Sequence, residues 1–282
     1  MEKIAKDVLS SLNKENLNFI PVKTQGYTNY NLIKVGNGFL RPINKELFTF
    51  DIDKFSHNFE ILEAGIEEVK AQRKEVSPNN IGAIDSALYT LIQSIGLGLD
   101  FYTDSNTARK NFGMRFEDFW RCLMNELNIT NKPMVLSLPI DHFDHYTCEI
   151  DSVLSKDGKI RTTKEMTDAN EIYVSLKTTS KDRMAKIFID KYLLEKFCNG
   201  KKLKMIGVFH NDIQRIKNNR ISGTFVANNF YIYQKHFLPL DGIYYLDIPK
   251  KAKDSWYKDN IKTISTLIFS DIWHLLDSTN HI

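Results

Sequence analysis

Between Cys148 and Asp190 the chain sets out residues whose types and spacing could do chemistry. Asp151 lies in the apolar run C-E-I-D-S-V-L, Lys177 closes the run E-I-Y-V-S-L-K, and Asp190 ends M-A-K-I-F-I-D. Two strands and a helix that bring carboxylates together with one lysine meet the needs of metal-dependent phosphodiester cleavage. Carboxylates hold a hard cation such as Mg²⁺. The cation polarises a phosphate and acidifies a bound water. A lysine positions that water and offsets charge in the transition state.

Each of these residues also has an ordinary reading. Strand alternation puts Glu149, Asp151 and Val153 on one face and Ile150, Ser152 and Leu154 on the other. Glu149 and Asp151 could then share a cation, or sit at a solvated edge. Tyr173, Ser175 and Lys177 share a face of the second strand, and a lysine ending a strand often snorkels to water. Thr178, Thr179 and Ser180 can cap the following helix, whose start favours anions. Asp190 falls among Ile187, Leu194 and Phe197 on an apolar stripe, which is costly without a partner; Arg183 is the plain candidate, a metal the other. The pair His142 and His145 is a weak zinc signal in a loop.

The elements that must position these groups follow from periodicity. Helices are predicted over 3–13, 53–75, 81–96 (ended by Gly96 and Gly98), 115–128, 181–198 and 256–277. Short strands and loops fill 18–50. Strands are expected at 133–139, 147–154, 171–177 and 205–209, and in the aromatic-rich stretch 220–248. The polar stretch 102–113 reads as a loop; it carries Arg109 and Lys110 and offers either a solvated surface or phosphate contacts. The whole is an α/β (α+β) chain: a central mixed sheet flanked by helices, with a mainly helical N-terminal subdomain (1–100) packed against the rest (101–282).

The motifs E-I-D at 149–151 and S-L-K at 175–177, followed by T-T-S-K-D-R, resemble those of the PD-(D/E)XK nuclease superfamily, and within it the type II restriction endonucleases. The resemblance covers roughly residues 113–210 and implies a restriction-endonuclease-like core. The family pattern has an acid two residues before the lysine; here Ser175 stands there. One branch supplies the missing carboxylate from the next helix, which makes Asp190 the replacement and Glu195 the second choice. The resemblance implies catalytic roles for Asp151, Lys177, Asp190 and Glu117, with Asp151, Asp190 and Glu149 as Mg²⁺ ligands. Glu117, in G-M-R-F-E-D-F-W, matches the helix before the motif strands; it also reads as an ordinary first-turn acid.

Double-stranded DNA would then be the partner. H-N-D-I-Q-R-I-K-N-N-R at 210–220 is dense in amides and guanidinium groups, the residue types that pair with base edges, although a charged hairpin has the same composition. Gln214, Arg215, Asn218 and Arg220 are the expected contacts, joined by Arg109, Lys110, Thr178, Thr179 and Lys181. Clusters at 201–204 and 250–253 read as solvated or phosphate-facing lysines. A homodimer on a palindrome is expected, through the N-terminal helices or the 81–96 helix. Rival readings are a DNA-binding protein of the same fold without catalysis, and a structure-selective repair nuclease.

Composition bounds the rest. The chain has 282 residues, 42% of them apolar, enough for a core without staples. Lys+Arg (38) and Asp+Glu (35) nearly cancel, so any nucleic-acid surface must come from local clustering. Three scattered cysteines suit a reducing cytoplasm and offer no zinc pair. No apolar run is long enough for a membrane span, and Met1–Lys6 does not read as a secretory leader. Phosphate-loop, dinucleotide and hydrolase-triad motifs are missing.

Overall fold

The computed structural model describes every residue except 37, 141–143, 199, 219, 254–255 and 279–282, and the Asp182 side chain is left undescribed as well. His142 therefore lies outside the described residues.

Helix α1 (Glu2–Asn13) buries Ala5, Leu9 and Leu12. Strand β2 (Tyr30–Val35) pairs antiparallel with β1 (Asn18–Pro21), β3 (Gly38–Phe39) and β4 (Ile43–Asn44). Helix α2 (Ile52–Gln72) starts on Asp51, whose carboxylate accepts from the Asp53 and Lys54 amides. Helix α3 (Ile81–Tyr102) is buried continuously from Ser86 to Gly98. A helix apolar on all sides must be covered, and α1, α2 and α4 (Ser105–Glu126) cover it. It is therefore not available as a dimer surface, contrary to the sequence-based expectation.

Gly96 and Gly98 do not end α3 but lie within it. A Cβ on Gly96 would stand 2.2 Å from Arg41 Nη1, and one on Gly98 3.1 Å from Val8 of α1, so close packing is what requires glycine there. The stretch expected as a polar loop at 102–113 is helical from Ser105 onward. The Asp104 carboxylate caps it, accepting from the Asn106 (3.0 Å) and Thr107 (3.1 Å) amides. Ala108, Phe112, Phe116, Phe119 and Trp120 then bury at helical spacing.

The central sheet is built from β5 (Thr130–Pro139), β6 (His145–Ser155), β7 (Ile172–Lys177), β8 (Lys204–Phe209), β11 (Gly242–Tyr245) and β12 (Ile261–Thr263), in the order β12-β11-β8-β7-β6-β5. The β5–β6 and β6–β7 pairs are antiparallel and the others parallel, so the sheet is mixed, as expected. A 3₁₀ turn (Lys181–Arg183) and α5 (Met184–Phe197) cross from β7 to β8. A hairpin, β9 (Ile213–Ile216) and β10 (Arg220–Gly223), follows β8.

Two expectations fail beyond it. The aromatic run after Val226 forms α6 (Ala227–Ile232) and a π-helical turn (Tyr233–Phe237) instead of a strand. Phe230 and Tyr233, three residues apart, both reach Phe188 of α5, which a helix allows and a strand does not. The C-terminal helix is also interrupted. Helix α7 (Tyr257–Asn260) precedes β12, and only then come α8 (Ile264–Thr266), a π-helical turn (Leu267–Asp271) and α9 (Ile272–Asp277). Lys204, expected on the surface, is buried and donates to the Leu275 (2.7 Å) and Ser278 (2.8 Å) carbonyls, closing the last helix.

One core cluster runs from α1 (Leu9) through α3 (Leu88) and α4 (Trp120) to β7 (Val174), β8 (Ile206) and the C-terminal helices (Ile268). A second fills the other side of the sheet, with Val153, Tyr173, Phe188 and Phe230. Buried Asp247 ties the N-terminal strands to the central sheet, accepting from the Tyr30 hydroxyl (2.6 Å) and the Asn44 amide (2.9 Å). Among the described residues no helix is long and apolar enough to cross a membrane.

Burial pushes the Asp85 carboxyl up to about 6, despite a hydrogen bond from Ser265. A carboxyl raised on folding favours the folded state at low pH, and that contribution is lost as pH rises through the folded value. Asp85→Asn keeps the neutral form at every pH. Its melting temperature should match the parent near pH 3, exceed it increasingly as the pH rises to about 6, and keep that lead above it. A gap that is constant with pH would refute this.

Candidate active site

β6 is not a regular strand. Met134 pairs with Ile150 and Lys132 with Val153, so β6 carries one residue more than β5 across that step. This is a β-bulge, and it falls at Asp151 and Ser152. Ile150 and Val153, which strict alternation puts on opposite faces, both enter the core cluster on the α5 side. The shared face expected for Glu149, Asp151 and Val153 is thereby broken. Glu149 pairs with Val135 in the exposed outer part of the β5–β6 ladder, while Val153 is fully buried.

The ladder from β6 to β7 ends at Ser152↔Val174. Just beyond it, three donors converge on Asp151 Oδ2: the Leu176 amide (2.7 Å), Lys177 Nζ (2.5 Å) and Ser175 Oγ (3.4 Å). All three address one oxygen, and among the described residues none bonds to Oδ1. Ser175 therefore sits beside Asp151, where the motif resemblance called for a second acid. Glu117 faces the pair from α4. Its carboxyl is raised, first by burial and then by the Asp151 charge.

Of these groups Glu117, Leu176 and Lys177 border a cleft of about 850 Å³, and Asp151 reaches it through Lys177. Its walls come from distant parts of the chain. Ser105, Arg109, Gly113 and Glu117 recur every fourth residue along one stripe of α4, with Lys110 beside them. Lys177, Thr178, Thr179, Lys181 and Arg183 follow from the exit of β7; Gln214 and Arg215 come from β9. Nine of the sequence-predicted residues thus line one cleft: Glu117, Arg109, Lys110, Lys177, Thr178, Thr179, Lys181, Gln214 and Arg215. Among the described residues Arg109, Lys110, Lys181, Arg183 and Arg215 have no ion-pair partner, so the cleft is cationic although the chain is nearly neutral.

Other predicted residues stand apart. Asp190 is buried on α5, but its partners are the Tyr146 hydroxyl (2.7 Å) and Lys186 Nζ (2.5 Å), not Arg183. Glu195 accepts from the Leu203 amide (3.0 Å) and closes the loop after α5. Asn218 takes a left-handed turn conformation (φ 60°) and Arg220 begins β10; neither borders the cleft. Among the described residues no three acids, histidines or cysteines come close enough to hold a metal ion. The expected trio of Asp151, Asp190 and Glu149 is not assembled.

Several cleft residues were not foreseen. Phe39 to Pro42 form a wall, with Arg41 doubly bonded to Asp100 (Nε–Oδ2 and Nη2–Oδ1, both 2.8 Å) and lying 3.8 Å over the Phe112 ring. The partners are far apart in sequence, so no local signal marks them. His210 is buried against Tyr89, Phe112 and Phe116, its Nε2 has no partner among the described residues, and burial followed by the Arg41 charge pushes it down to about 3.

Asp212, read from sequence as part of a surface segment, is 1% exposed. Its Oδ1 accepts from Thr179 Oγ1 (2.8 Å), the Ser180 amide (2.7 Å) and Thr224 Oγ1 (2.9 Å), and its Oδ2 from Ser180 Oγ (2.6 Å) and Tyr245 OH (2.7 Å). The Thr179 and Ser180 hydroxyls thus bind Asp212 and do not cap the following helix. This one carboxylate locks the exit of β7 to the base of the β9–β10 hairpin.

No protein-family model matches the chain and no curated protein is similar to it in sequence. The type IIP restriction endonuclease Kpn2I is similar in structure, with a TM-score of 0.74 and 17% identity over 97% of this chain and 89% of that one. The restriction endonuclease PspGI, solved in a complex with substrate DNA, aligns with a TM-score of 0.43 and 14% identity over 78% of this chain and 93% of that one. The Kpn2I likeness shows that the chain has a restriction-endonuclease-like fold.

Asp212→Leu removes all five acceptor contacts. Each buried donor left dry costs about 1–3 kcal/mol, so a loss of at least about 3 kcal/mol is expected in urea unfolding. Asp212→Asn should lose much less, because Ser180 and Tyr245 hydroxyls can turn to accept from its amide. Equal losses in the two variants would contradict the assignment of Asp212 as an acceptor hub.

Proposed function

We propose that the protein is a type II restriction endonuclease that hydrolyses double-stranded DNA at a short specific sequence, with Mg²⁺ as cofactor and as a homodimer. The observation that carries this reading is the Asp151–Lys177 pair, 2.5 Å apart, whose lysine borders a cleft where, among the described residues, Arg109, Lys110, Lys181, Arg183 and Arg215 have no ion-pair partner. Unpaired lysine and arginine side chains suit a phosphate backbone.

The residues fit a hard divalent cation. Among the described residues Asp151 Oδ1 has no hydrogen-bond partner, and Glu117 carries a carboxyl raised by burial and then by its acidic neighbour. A cation there relieves the repulsion between them. In this reading Asp151 and Glu117 hold the ion, and Asp190 joins them only by leaving Tyr146 and Lys186. Glu149, on the exposed part of the ladder, is left out of the set. Bound Mg²⁺ would polarise the scissile phosphate and lower the pKa of a water.

The chain's own groups do the rest. Lys177, held by Asp151, presents an ammonium group to a non-bridging phosphate oxygen or the attacking water and offsets charge as it develops. Ser175 donates a hydroxyl where the motif would add a carboxylate, so one negative charge fewer opposes the incoming phosphate. Arg109, Lys110, Lys181, Arg183 and Thr178 border the path of the backbone. A second copy would supply a two-fold-related cleft for the other strand of a palindrome.

The Ser175 position also favours one rival, a DNA-binding protein of this fold without catalysis. A single assay separates them. Purified protein is incubated with a long duplex in Mg²⁺ or in EDTA, beside Asp151→Ala, Lys177→Ala and Glu117→Ala. Discrete fragments that need Mg²⁺, lost by about a hundredfold or more in the first two variants and reduced in the third, are expected. Binding without cleavage under Mg²⁺ and Mn²⁺ would leave only the rival.

A further inference from the structure

Strand register gives the β9–β10 hairpin two chemically different faces. Opposite residues share a face: Ile213 with Gly223 and Arg215 with Ile221 on one, Gln214 with Ser222 and Ile216 with Arg220 on the other. The first face is occupied. Ile221 is 1% exposed and packs with Val22, Tyr30 and Leu32 of the N-terminal strands, and Ile213 lies against the same cluster. The Thr24 hydroxyl accepts from the Ile221 amide (3.0 Å) and donates to its carbonyl (2.9 Å). The Arg215 guanidinium lies 4.7 Å over the Phe39 ring, inside the cleft.

The second face is bare. Gln214, Arg220 and Ser222 are exposed, and Ile216 is 39% exposed. Among the described residues the Gln214 amide and the Arg220 guanidinium have no hydrogen-bond or ion-pair partner. An amide and a guanidinium thus flank an apolar side chain, with their donors and acceptors unspent. The hairpin that carries them is fixed from behind by the N-terminal strands and at its base by Asp212, and Gln214 reaches the cleft border.

We infer that this bare face is a β-ribbon that reads base edges in the major groove of duplex DNA, with Gln214 and Arg220 as specificity-determining residues. The inference rests on the nuclease reading above. A major groove about 12 Å wide admits a two-stranded ribbon, and paired strands stand only about 5 Å apart. Gln can bond both donor and acceptor of adenine, Arg both acceptors of guanine, and Ile216 suits a thymine methyl. Arg215 belongs to the opposite face. Stacked on Phe39 in the cleft, it meets the backbone, which fixes position and carries no sequence information.

The test is a binding selection without cleavage. The full chain, in Ca²⁺, is mixed with a library of duplexes randomised over a central segment, and the retained duplexes are sequenced. The parent protein enriches a motif. Gln214→Ala and Arg220→Lys should keep their melting temperatures, still bind, and each lose about tenfold or more of the discrimination at one motif position. Arg215→Ala should weaken binding to motif and scrambled duplexes by the same factor and leave the motif intact. A motif unchanged in both Gln214→Ala and Arg220→Lys, or altered in Arg215→Ala, overturns this assignment alone. A parent protein that enriches no motif overturns the restriction-endonuclease reading, and this one with it.

Discussion

Asp212 is buried and makes no ion pair among the described residues, and five donors address it: three hydroxyls of the β7 exit and β10 end, one backbone amide, and the Tyr245 phenol. A carboxylate satisfied in this way fixes every group that donates to it, because withdrawing one leaves the rest short. The groups it fixes belong to segments that flank the cleft. Lys177 and Lys181 stand on one side of it in sequence, Gln214 and Arg215 on the other. This buried acid therefore helps set the spacing between the candidate chemical centre and the hairpin, together with the backbone bonds from His210 and Asn211 to Lys177 and Thr178.

The second constraint is the bulge in β6. A regular strand would carry the apolar alternation straight through Asp151. The extra residue lets the strand satisfy the core on both sides of the bulge, with Ile150 and Val153 in one cluster, while the intervening Asp151 turns to the β7 end. There it takes a backbone amide and a lysine on one oxygen, and among the described residues none bonds to the other. Such an arrangement spends local sheet regularity on aiming one carboxylate.

The N-terminal strands belong to the same device. They pack Val22, Tyr30 and Leu32 against Ile221, bond to Asp247 through Tyr30 and Asn44, and place Arg41 against Asp100 and Phe112. The contacts to Ile221, Asp247 and Phe112 join the first hundred residues to different parts of the remainder, while Asp100 holds Arg41 from within them. The hairpin is thereby supported from behind, and the cleft gains a wall that the Asp151–Lys177 motif region does not supply.

The sequence alone determined what depends on neighbours along the chain. The central strands, the long helices and the motif residues Asp151 and Lys177 were legible because period-2 and period-3.6 patterns and short spacings are local properties. Local patterning failed where two elements compete for one composition: the Asp104-capped start of α4 looked like a polar loop, the aromatic run of α6 looked like a strand, and the glycines of α3 looked like breaks. Only the tertiary structure decided which groups meet. It joined Arg41 to Asp100 and Asp212 to Thr179 and Tyr245, turned Asp190 toward Tyr146 and Lys186, and separated the two faces of the hairpin. Those outcomes turn on which buried charge finds which donor, and that is settled when distant segments pack, not by the residues beside it in the chain.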